Sequence, residues 1–245
     1  MKVILQGKNS KNIEGLLKSL GFEIVTSKPE VIISFGGDGT LLSSERNYPG
    51  IPKLPIRNSQ FCHKCSDHED KKLLQNLLAG KLKLKTYQKL QTNLYGKDLL
   101  ALNDFVVRNE EAIHAIRFKI SINDIPAGFF IGDGVVIATS FGSTGYFKSI
   151  IKESFPADFS GFGLAFNNTT EKTTPIYFDE EDIDMDRAGF QLARGKAILT
   201  YDNSPDSFHI AEGTSLEFKI ADQVAKIYEP TSLRCPNCQV IRTSN

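Results

Sequence analysis

The chain has 245 residues, with 29 Lys and Arg balanced by 29 Asp and Glu, and 40% of its residues are hydrophobic. This length and composition suit a folded protein of one or two domains, and the zero net charge predicts neither a nucleic-acid nor a membrane partner. No apolar run approaches the length of a membrane span. The first residues become polar too soon for a secretory signal, so we expect a cytoplasmic protein.

The first 85 residues alternate strands with helices. Hydrophobic patterning predicts strands at 2–5, 22–25, 31–35 and 54–56, and helices at 11–20, 40–47 and 68–79. Such alternation predicts an α/β domain, a doubly wound, Rossmann-like parallel sheet. Ligands of these sheets bind at the carboxyl ends of the strands.

A glycine-rich turn follows the third predicted strand and reads Gly36-Gly37-Asp38-Gly39-Thr40. Glycines there let the backbone approach a ligand, and the helix behind them offers the positive end of its dipole to phosphate. A carboxylate among phosphates repels them unless it binds a metal or takes a proton from a nucleophile, which makes Asp38 the candidate catalytic residue. The simpler alternative is a glycine turn with Asp38 as a helix cap.

The four cysteines form two CxxC pairs, Cys62 with Cys65 and Cys235 with Cys238. Two such pairs have the ligand spacing of a tetrahedral structural zinc site, and zinc is favoured over disulfides in a reducing cytosol. Redox-active or free thiols are the alternative. A zinc ion held by all four residues would join the predicted C-terminal tail, 229–245, to the first domain.

The pattern changes at about residue 86, and residues 86–228 are predicted to form a β-rich domain. Alternating apolar residues predict strands at 81–85, 89–95, 99–107, 115–122, 126–131, 134–139, 162–167, 190–193, 196–201, 207–211, 215–219 and 224–228. The pair Asn123-Asp124 predicts a hairpin turn. We therefore expect a second, all-β domain built as a β-sandwich.

Three polar motifs interrupt these strands. Asn103-Asp104 follows an apolar run, and an Asn side chain offers a donor and an acceptor that match the edge of an adenine. Asp133 lies between two glycines, and Gly142-Ser143-Thr144-Gly145-Tyr146 follows the next strand. Each has a structural alternative: a turn for Asn103-Asp104, a hairpin for Asp133, and a core aromatic for Tyr146.

Together these motifs resemble those of the NAD kinase family, whose pattern is GGDGT, then an Asn-Glu or Asn-Asp pair, then Asp-Gly before a GSTAY-like turn. The order and spacing here agree, and the resemblance covers roughly residues 1–50 and 95–230. It implies the two-domain plan, a C-terminal tail that returns to the first domain, and a homodimer or homotetramer. It also implies transfer of a phosphoryl group from ATP to the 2′-hydroxyl of the adenosine ribose of NAD.

The resemblance also implies residue roles. Asp38 would accept or orient the proton of the acceptor hydroxyl, and magnesium would arrive with ATP, without a dedicated protein ligand. The implied nucleotide-binding residues are Gly36, Gly37, Gly39, Thr40, Leu42, Phe61, Asn103, Asp104, Asp133, Thr144, Gly145, Tyr146 and Ser149.

The chain departs from the family pattern after the glycine turn. Where the family carries a glycine-rich segment, this chain has Pro55-Ile56-Arg57-Asn58-Ser59-Gln60-Phe61, and Gly145 replaces the usual alanine. Two other functions remain open: a lipid or diacylglycerol-type kinase with the same glycine turn, and a non-catalytic dinucleotide-binding module. The choices between NAD and NADH as acceptor, and between ATP and polyphosphate as donor, are also open.

Overall fold

The computed structural model describes residues 1–57, 70–156, 159–179 and 186–229. The chain divides into two compact units, of which the first combines Met1–Tyr87 with the chain from Ala225 onward and the second is Gln88–Val224. The sequence predicted divisions at 85/86 and 228/229. Apart from Glu229, the predicted tail lies outside the described residues.

Sixteen strands and four helices are present in the described part of the chain. The strands are β1 Lys2–Gln6, β2 Glu23–Ile24, β3 Val31–Gly36, β4 Lys53–Arg57, β5 Lys83–Leu94, β6 Lys97–Ala101, β7 Asp104–Asn109, β8 Ile116–Ile122, β9 Ile125–Gly132, β10 Gly134–Thr139, β11 Gly161–Asn167, β12 Ile176–Asp179, β13 Ala188–Arg194, β14 Ala197–Tyr201, β15 Phe208–Ile210 and β16 Ser215–Glu229. The helices are α1 Lys11–Ser19, α2 Asp38–Asn47, α3 Asp70–Leu78 and α4 Tyr146–Ile151.

The first unit is a parallel sheet in the order β2-β1-β3-β4, to which the end of β16 adds through the pair Ile227 and Lys53. Side chains of β3 and β4 alternate between its two faces. Ile33 and Leu54 pack in one core with α1 and α3. Ser34 and Lys53 bond to α2 from the opposite face. Helices therefore cover both faces, which confirms the predicted doubly wound α/β architecture.

The second unit contains a six-stranded antiparallel sheet in the order β12-β11-β10-β7-β14-β15. A second group of antiparallel strands pairs the start of β16 with β13, then β8 and β9. Phe105 and Phe162 from the first sheet share one core with Phe118 and Phe190 from the second. Two sheets that bury their apolar faces against each other form the predicted β-sandwich.

The structure corrects several element boundaries. The predicted strand at 99–107 is two strands, because the chain turns at Leu102 and Asn103. The predicted strands at 215–219 and 224–228 are one continuous strand, β16. Helix α4 was not predicted, and it packs the fully buried Phe147 against the sheet. The predicted hairpin turn is confirmed, since Asn123 and Asp124 have φ of 50° and 65°.

No helix in the described ranges has both the length and the apolarity that crossing a membrane requires.

Candidate functional site

The candidate phosphate site lies in the first unit, at the carboxyl ends of parallel strands. The turns that follow β1 and β3 meet at this edge, because the two strands are neighbours and run in the same direction. A cleft of about 500 Å³ opens there. Its lining residues are Lys8, Asn9, Phe35, Gly36, Gly37, Gly39, Thr40 and Ser43.

Two glycines allow the turns to approach each other this closely. Gly7, with φ of 132°, places the position of a missing Cβ only 2.0 Å from the carbonyl oxygen of Phe35. A Cβ on Gly36 would lie 2.3 Å from Oγ1 of Thr40. Only glycine fits at these positions without movement of the neighbouring atoms. The turn after β1 thus lies directly against the turn after β3, and Lys8 joins the cleft.

The cleft has the electrostatics of an anion site. Helix α2 begins at Asp38, and its N-cap, Gly37, makes no side-chain capping hydrogen bond. The first amides of a helix have no partner within the helix, and its dipole places partial positive charge at this end. Lys8 adds a cation to the lining. The arrangement suits the phosphates of a nucleotide.

Asp38 stands at the first position of α2, and its side chain is 62% exposed. Nη2 of Arg57, at the end of β4, lies 3.3 Å from Oδ1 of Asp38. The carboxylate therefore lies beside a cation from the neighbouring strand, and Asp38 itself is not part of the cleft lining. Leu42, also predicted to bind nucleotide, is buried within the unit with 3% exposure and is not part of the cleft lining.

The second unit holds the predicted nucleotide-binding residues from Asn103 to Ser149. Asn103 and Asp104 lie at the turn from β6 to β7. Thr139 binds this turn from the end of β10: its N–H donates to the Asn103 carbonyl at 2.9 Å, and its hydroxyl donates to the Leu102 carbonyl at 2.6 Å. The predicted turn Gly142-Ser143-Thr144-Gly145-Tyr146 packs against Asn103 and Asp104. A Cβ on Gly145 would lie 3.8 Å from Nδ2 of Asn103 and 3.9 Å from Oδ2 of Asp104.

Asp104 is an unusual acid because it is buried, with 9% exposure. Burial, and then the nearby charge of Asp202, raises the pKa of Asp104 to about 7. Its side chain points to the same face of the sheet as Val106, the face that α4 covers. Near neutral pH it can accept a hydrogen bond as a carboxylate or donate one as an acid.

Asp133 is held by amide side chains. Nδ2 of Asn168 donates to its Oδ2 at 3.0 Å, and Nδ2 of Asn109 donates to its Oδ1 at 3.4 Å. Asn167, next in the chain to Asn168, donates through Nδ2 to the hydroxyl of Tyr146 at 3.3 Å. The end of β11 therefore connects Asp133 with Tyr146, two residues that the sequence predicted for one site.

These groups lie at opposite ends of β10, since Asp104 pairs with Ala138 and Asn167 pairs with Gly134. Gly134 and Ala138 are four residue steps apart, which span about 13 Å in a strand. Thr144 and Tyr146 are exposed, and Ser149 donates its hydroxyl to the Tyr146 carbonyl of its own helix at 2.6 Å. The residues of β10 between the two ends, from Val135 to Ala138, are fully buried.

Phe61 and the four cysteines Cys62, Cys65, Cys235 and Cys238 lie outside the described residues. Within the described ranges, no cluster of three or more His, Cys, Asp or Glu side chains is placed to hold a metal ion. The predicted zinc site is thus neither supported nor tested by these ranges.

Several residues of the candidate sites were not among the predicted site residues, and Lys8, Arg57 and Asp202 are examples. Lys8 had a detectable signal, because Gly7 directly follows a buried strand and marks a turn at its carboxyl end. Arg57 ends a parallel strand and belongs to the same edge. The sequence Tyr201-Asp202-Asn203 indicates a turn, which the family resemblance also implies, but it does not indicate the contact of Asp202 with Asn103.

Comparison with known proteins finds NAD kinases among the relatives of this chain. No protein-family profile matches the chain. The chain is similar to the NAD kinase of Sulfurisphaera tokodaii, with 28% identity over 65% of this chain and 63% of that protein. It is 32% identical to the Wolinella succinogenes NAD kinase over 51% and 46%, and 30% identical to a Clostridium botulinum NAD kinase over 48% and 44%. The aligned part therefore spans 44% to 63% of these relatives.

Solved structures share the fold over nearly the whole chain. An NAD kinase from Archaeoglobus fulgidus, crystallised in complex with ATP, superposes with a TM-score of 0.77 at 18% identity and covers 94% of each chain. Yeast NADH kinase, complexed with NADH, superposes with a TM-score of 0.73 at 15% identity over 89% of this chain and 68% of that one. Both have an architecture similar to the one described above.

Proposed function

We propose that this chain, a member of the NAD kinase family, transfers the terminal phosphoryl group of ATP to the 2′-hydroxyl of the adenosine ribose of NAD and so makes NADP. The observation that carries the proposal is the position of Asp38, the first residue of α2, between Gly37 and Gly39, which line the cleft with Lys8. A carboxylate in a phosphate site has a use when a hydroxyl must lose its proton there.

In the proposed reaction the phosphates of ATP bind the free amides at the start of α2 and the ammonium group of Lys8. Asp38 accepts the proton of the 2′-hydroxyl as the ribose oxygen bonds to the γ-phosphorus and the bond from that phosphorus to the bridging oxygen of ADP breaks. Magnesium would arrive with ATP, without a dedicated protein ligand, and would supply neutralisation of the phosphate charge. Positioning and charge stabilisation supply most of the acceleration.

The β-sandwich supplies groups for the dinucleotide. Asn103 offers a donor and an acceptor to a base, and Asp104 accepts from a ribose hydroxyl or an exocyclic amine. Asp133, Thr144, Gly145 and Tyr146 are proposed to contact the remainder of the dinucleotide.

The test is NADP formation by the purified chain from ATP, magnesium and NAD, measured with an NADP-specific dehydrogenase. Asp38→Asn should lower kcat by about 10²- to 10⁴-fold, the usual contribution of a positioned base. Asp206→Asn, which removes an exposed carboxylate from the sandwich, is the matched control and should leave kcat unchanged.

Inactivity with both NAD and NADH, and with both ATP and polyphosphate, would reject the kinase. A lipid acceptor, or tight dinucleotide binding without turnover, would then be the function to measure. Equal activity of Asp38→Asn and the native chain would reject the role of Asp38 alone.

We also propose that Cys62, Cys65, Cys235 and Cys238 hold one structural zinc ion, because their spacing is that of a tetrahedral thiolate site. Metal analysis of protein purified without chelator should find about one zinc per chain. A zinc content well under one per chain, or an unchanged zinc content after Cys235→Ser and Cys238→Ser, would reject the site.

A cytoplasmic homodimer or homotetramer is proposed from the family resemblance. Light scattering of the purified chain measures its oligomeric state.

A further inference from the structure

The turn between β6 and β7 is held by a carboxylate that is distant in sequence. Asp202, which is 4% exposed, accepts the N–H of Leu102 through Oδ2 at 2.6 Å and the N–H of Asn103 through Oδ1 at 2.6 Å. The N–H of Asp104 approaches the same Oδ1 at 3.4 Å. One buried side chain thus binds the amides of three consecutive residues.

Thr139 holds the same turn from its carbonyl side. Its hydroxyl donates to the Leu102 carbonyl and accepts the N–H of Gly142 at 3.1 Å, while its own N–H donates to the Asn103 carbonyl. A Cβ on Gly142 would lie 2.1 Å from the Asn103 carbonyl oxygen. The peptide groups on both sides of Asn103 therefore have fixed orientations, and only the side chains of Asn103 and Asp104 can serve a ligand.

This arrangement is costly for stability. Two carboxyl groups, Asp104 and Asp202, are buried close together, and the charge of Asp202 adds to the burial that raises the pKa of Asp104. Hydrogen bonds from backbone amides favour the charged form of Asp202. A turn that only had to connect two strands needs neither acid, because a buried charge destabilises a fold unless other groups compensate it.

We propose that Asp202 and Thr139 are positioning residues, which clamp the backbone at Asn103 so that the side chains of Asn103 and Asp104 present a fixed hydrogen-bonding pattern to the dinucleotide. This inference rests on the proposed function of the same site. It assigns the two residues no contact with the substrate: they act through the backbone of the pair that binds it.

Two pairs of variants test the clamp. Asp202→Asn keeps the shape of the side chain but removes its charge and one acceptor. Asp206→Asn makes the same change at an exposed position of the same connection between β14 and β15. Thr139→Val keeps the shape but removes the hydroxyl, while Thr139→Ser keeps the hydroxyl. The measured quantities are KM for NAD, KM for ATP, kcat and Tm.

Asp202→Asn should raise KM for NAD by about 10- to 100-fold, and Thr139→Val by about tenfold, because these changes remove one charged and one neutral hydrogen bond from the turn. KM for ATP should stay within about twofold of the native value, since ATP binds the other unit. Thr139→Ser should restore the native KM for NAD. A purely structural role would lower Tm without separating the two KM values, and that result would overturn the proposal.

Two further measurements distinguish this inference from the proposed function. If the native chain makes no NADP, the proposed function fails. The dissociation constant for NAD, measured by calorimetry, then replaces KM for NAD in the comparison of the variants. Amide hydrogen exchange reports the clamp directly: protection of Leu102 and Asn103 should fall at least about tenfold in Asp202→Asn and not in Asp206→Asn. Unchanged protection would overturn the clamp. If Asp202→Asn does not fold, the Thr139 pair decides between the same outcomes.

Discussion

The guanidinium of Arg57 lies 3.3 Å from the carboxylate of Asp38, and the two residues belong to the ends of neighbouring elements, β4 and α2. Arg57 pairs in register with Gly36, so the contact follows from the alignment of β3 and β4. The pair places a cation beside the proposed base, at the edge of the sheet where β3 and β4 end.

We predict that Arg57→Met lowers kcat/KM for ATP by about tenfold, because the variant leaves Asp38 without its cation beside the phosphates, whereas Arg57→Lys retains most of the activity. Steady-state kinetics with varied ATP measures both. Equal kinetics of Arg57→Met and the native chain would mean that the pair is an incidental surface contact, as many exposed ion pairs are.

The phosphate cleft can be blocked without disturbing the fold. A Cβ on Gly37 has no neighbour within 4 Å in the ligand-free protein, so Gly37→Ala should keep Tm within about 2 °C of native. It should raise KM for ATP at least about tenfold, because the methyl group occupies the space of a phosphate. Kinetics and thermal unfolding check the two statements separately.

Two other glycines serve as controls. Gly7→Ala combines φ of 132° with a Cβ 2.0 Å from a carbonyl oxygen, and should lower the free energy of unfolding by about 3 kcal/mol or more. Gly15→Ala lies inside α1 with no neighbour within 4 Å, and should raise it by about 0.5 to 1 kcal/mol. If Gly37→Ala leaves KM for ATP unchanged, the phosphates bind elsewhere.

NAD binding should depend on pH through Asp104. The pKa of this group is raised from 3.8 to about 7, so the folded chain keeps a proton that the unfolded chain has released in that range. The stability contributed by this group is therefore highest at low pH and is lost as the pH rises to about 7. The carboxylate that accepts from NAD forms over the same range.

Calorimetry should therefore show native NAD binding tightening by about tenfold between roughly pH 6 and 8, as the ionised fraction of Asp104 rises from about 0.1 to 0.9. Asp104→Asn should bind NAD weakly at every pH and be more stable than the native chain above neutral pH, since no buried charge remains. Retention of the native pH dependence in Asp104→Asn would assign the titration to another group.

Lys53 and Glu45 form an ion pair in the first unit, with side chains 0% and 3% exposed. Nζ of Lys53 also donates to the Tyr48 carbonyl at 2.5 Å. Lys53→Met should lower the free energy of unfolding by about 3 to 5 kcal/mol, because Glu45 is left as a buried charge without its main partner.

Urea unfolding measures this change, and Lys71→Met on the exposed side of α3 is the control. The double variant Lys53→Met with Glu45→Leu should regain most of the loss, because two apolar groups of similar size need no compensation. If the double variant is as unstable as Lys53→Met, the ion pair contributes more to the free energy of unfolding than the neutralisation of two buried charges.

Local patterns in the sequence were sufficient for the architecture. Alternation of apolar residues located the strands of both units. Gly36-Gly37-Asp38 between a buried strand and a helix located the cleft, because the carboxyl ends of parallel strands share one edge. Asn123-Asp124 predicted its hairpin, since positive φ at both positions is a property of the two residues themselves. These signals arise within a few residues, so they can be read without knowing the rest of the chain.

The details of the sites were decided by tertiary structure. Asp202 binds the amide of Asn103 across 99 positions, and Arg57 reaches Asp38 across 19. The contact of Asp202 with Asn103 lies at the turn that divides residues 99–107 between β6 and β7, although their apolar pattern predicts one continuous strand. The pKa of Asp104 likewise depends on burial by segments far away in the chain. Hydrogen bonds and charge interactions act through space and have no sequence period, so only the folded chain determines which partners meet.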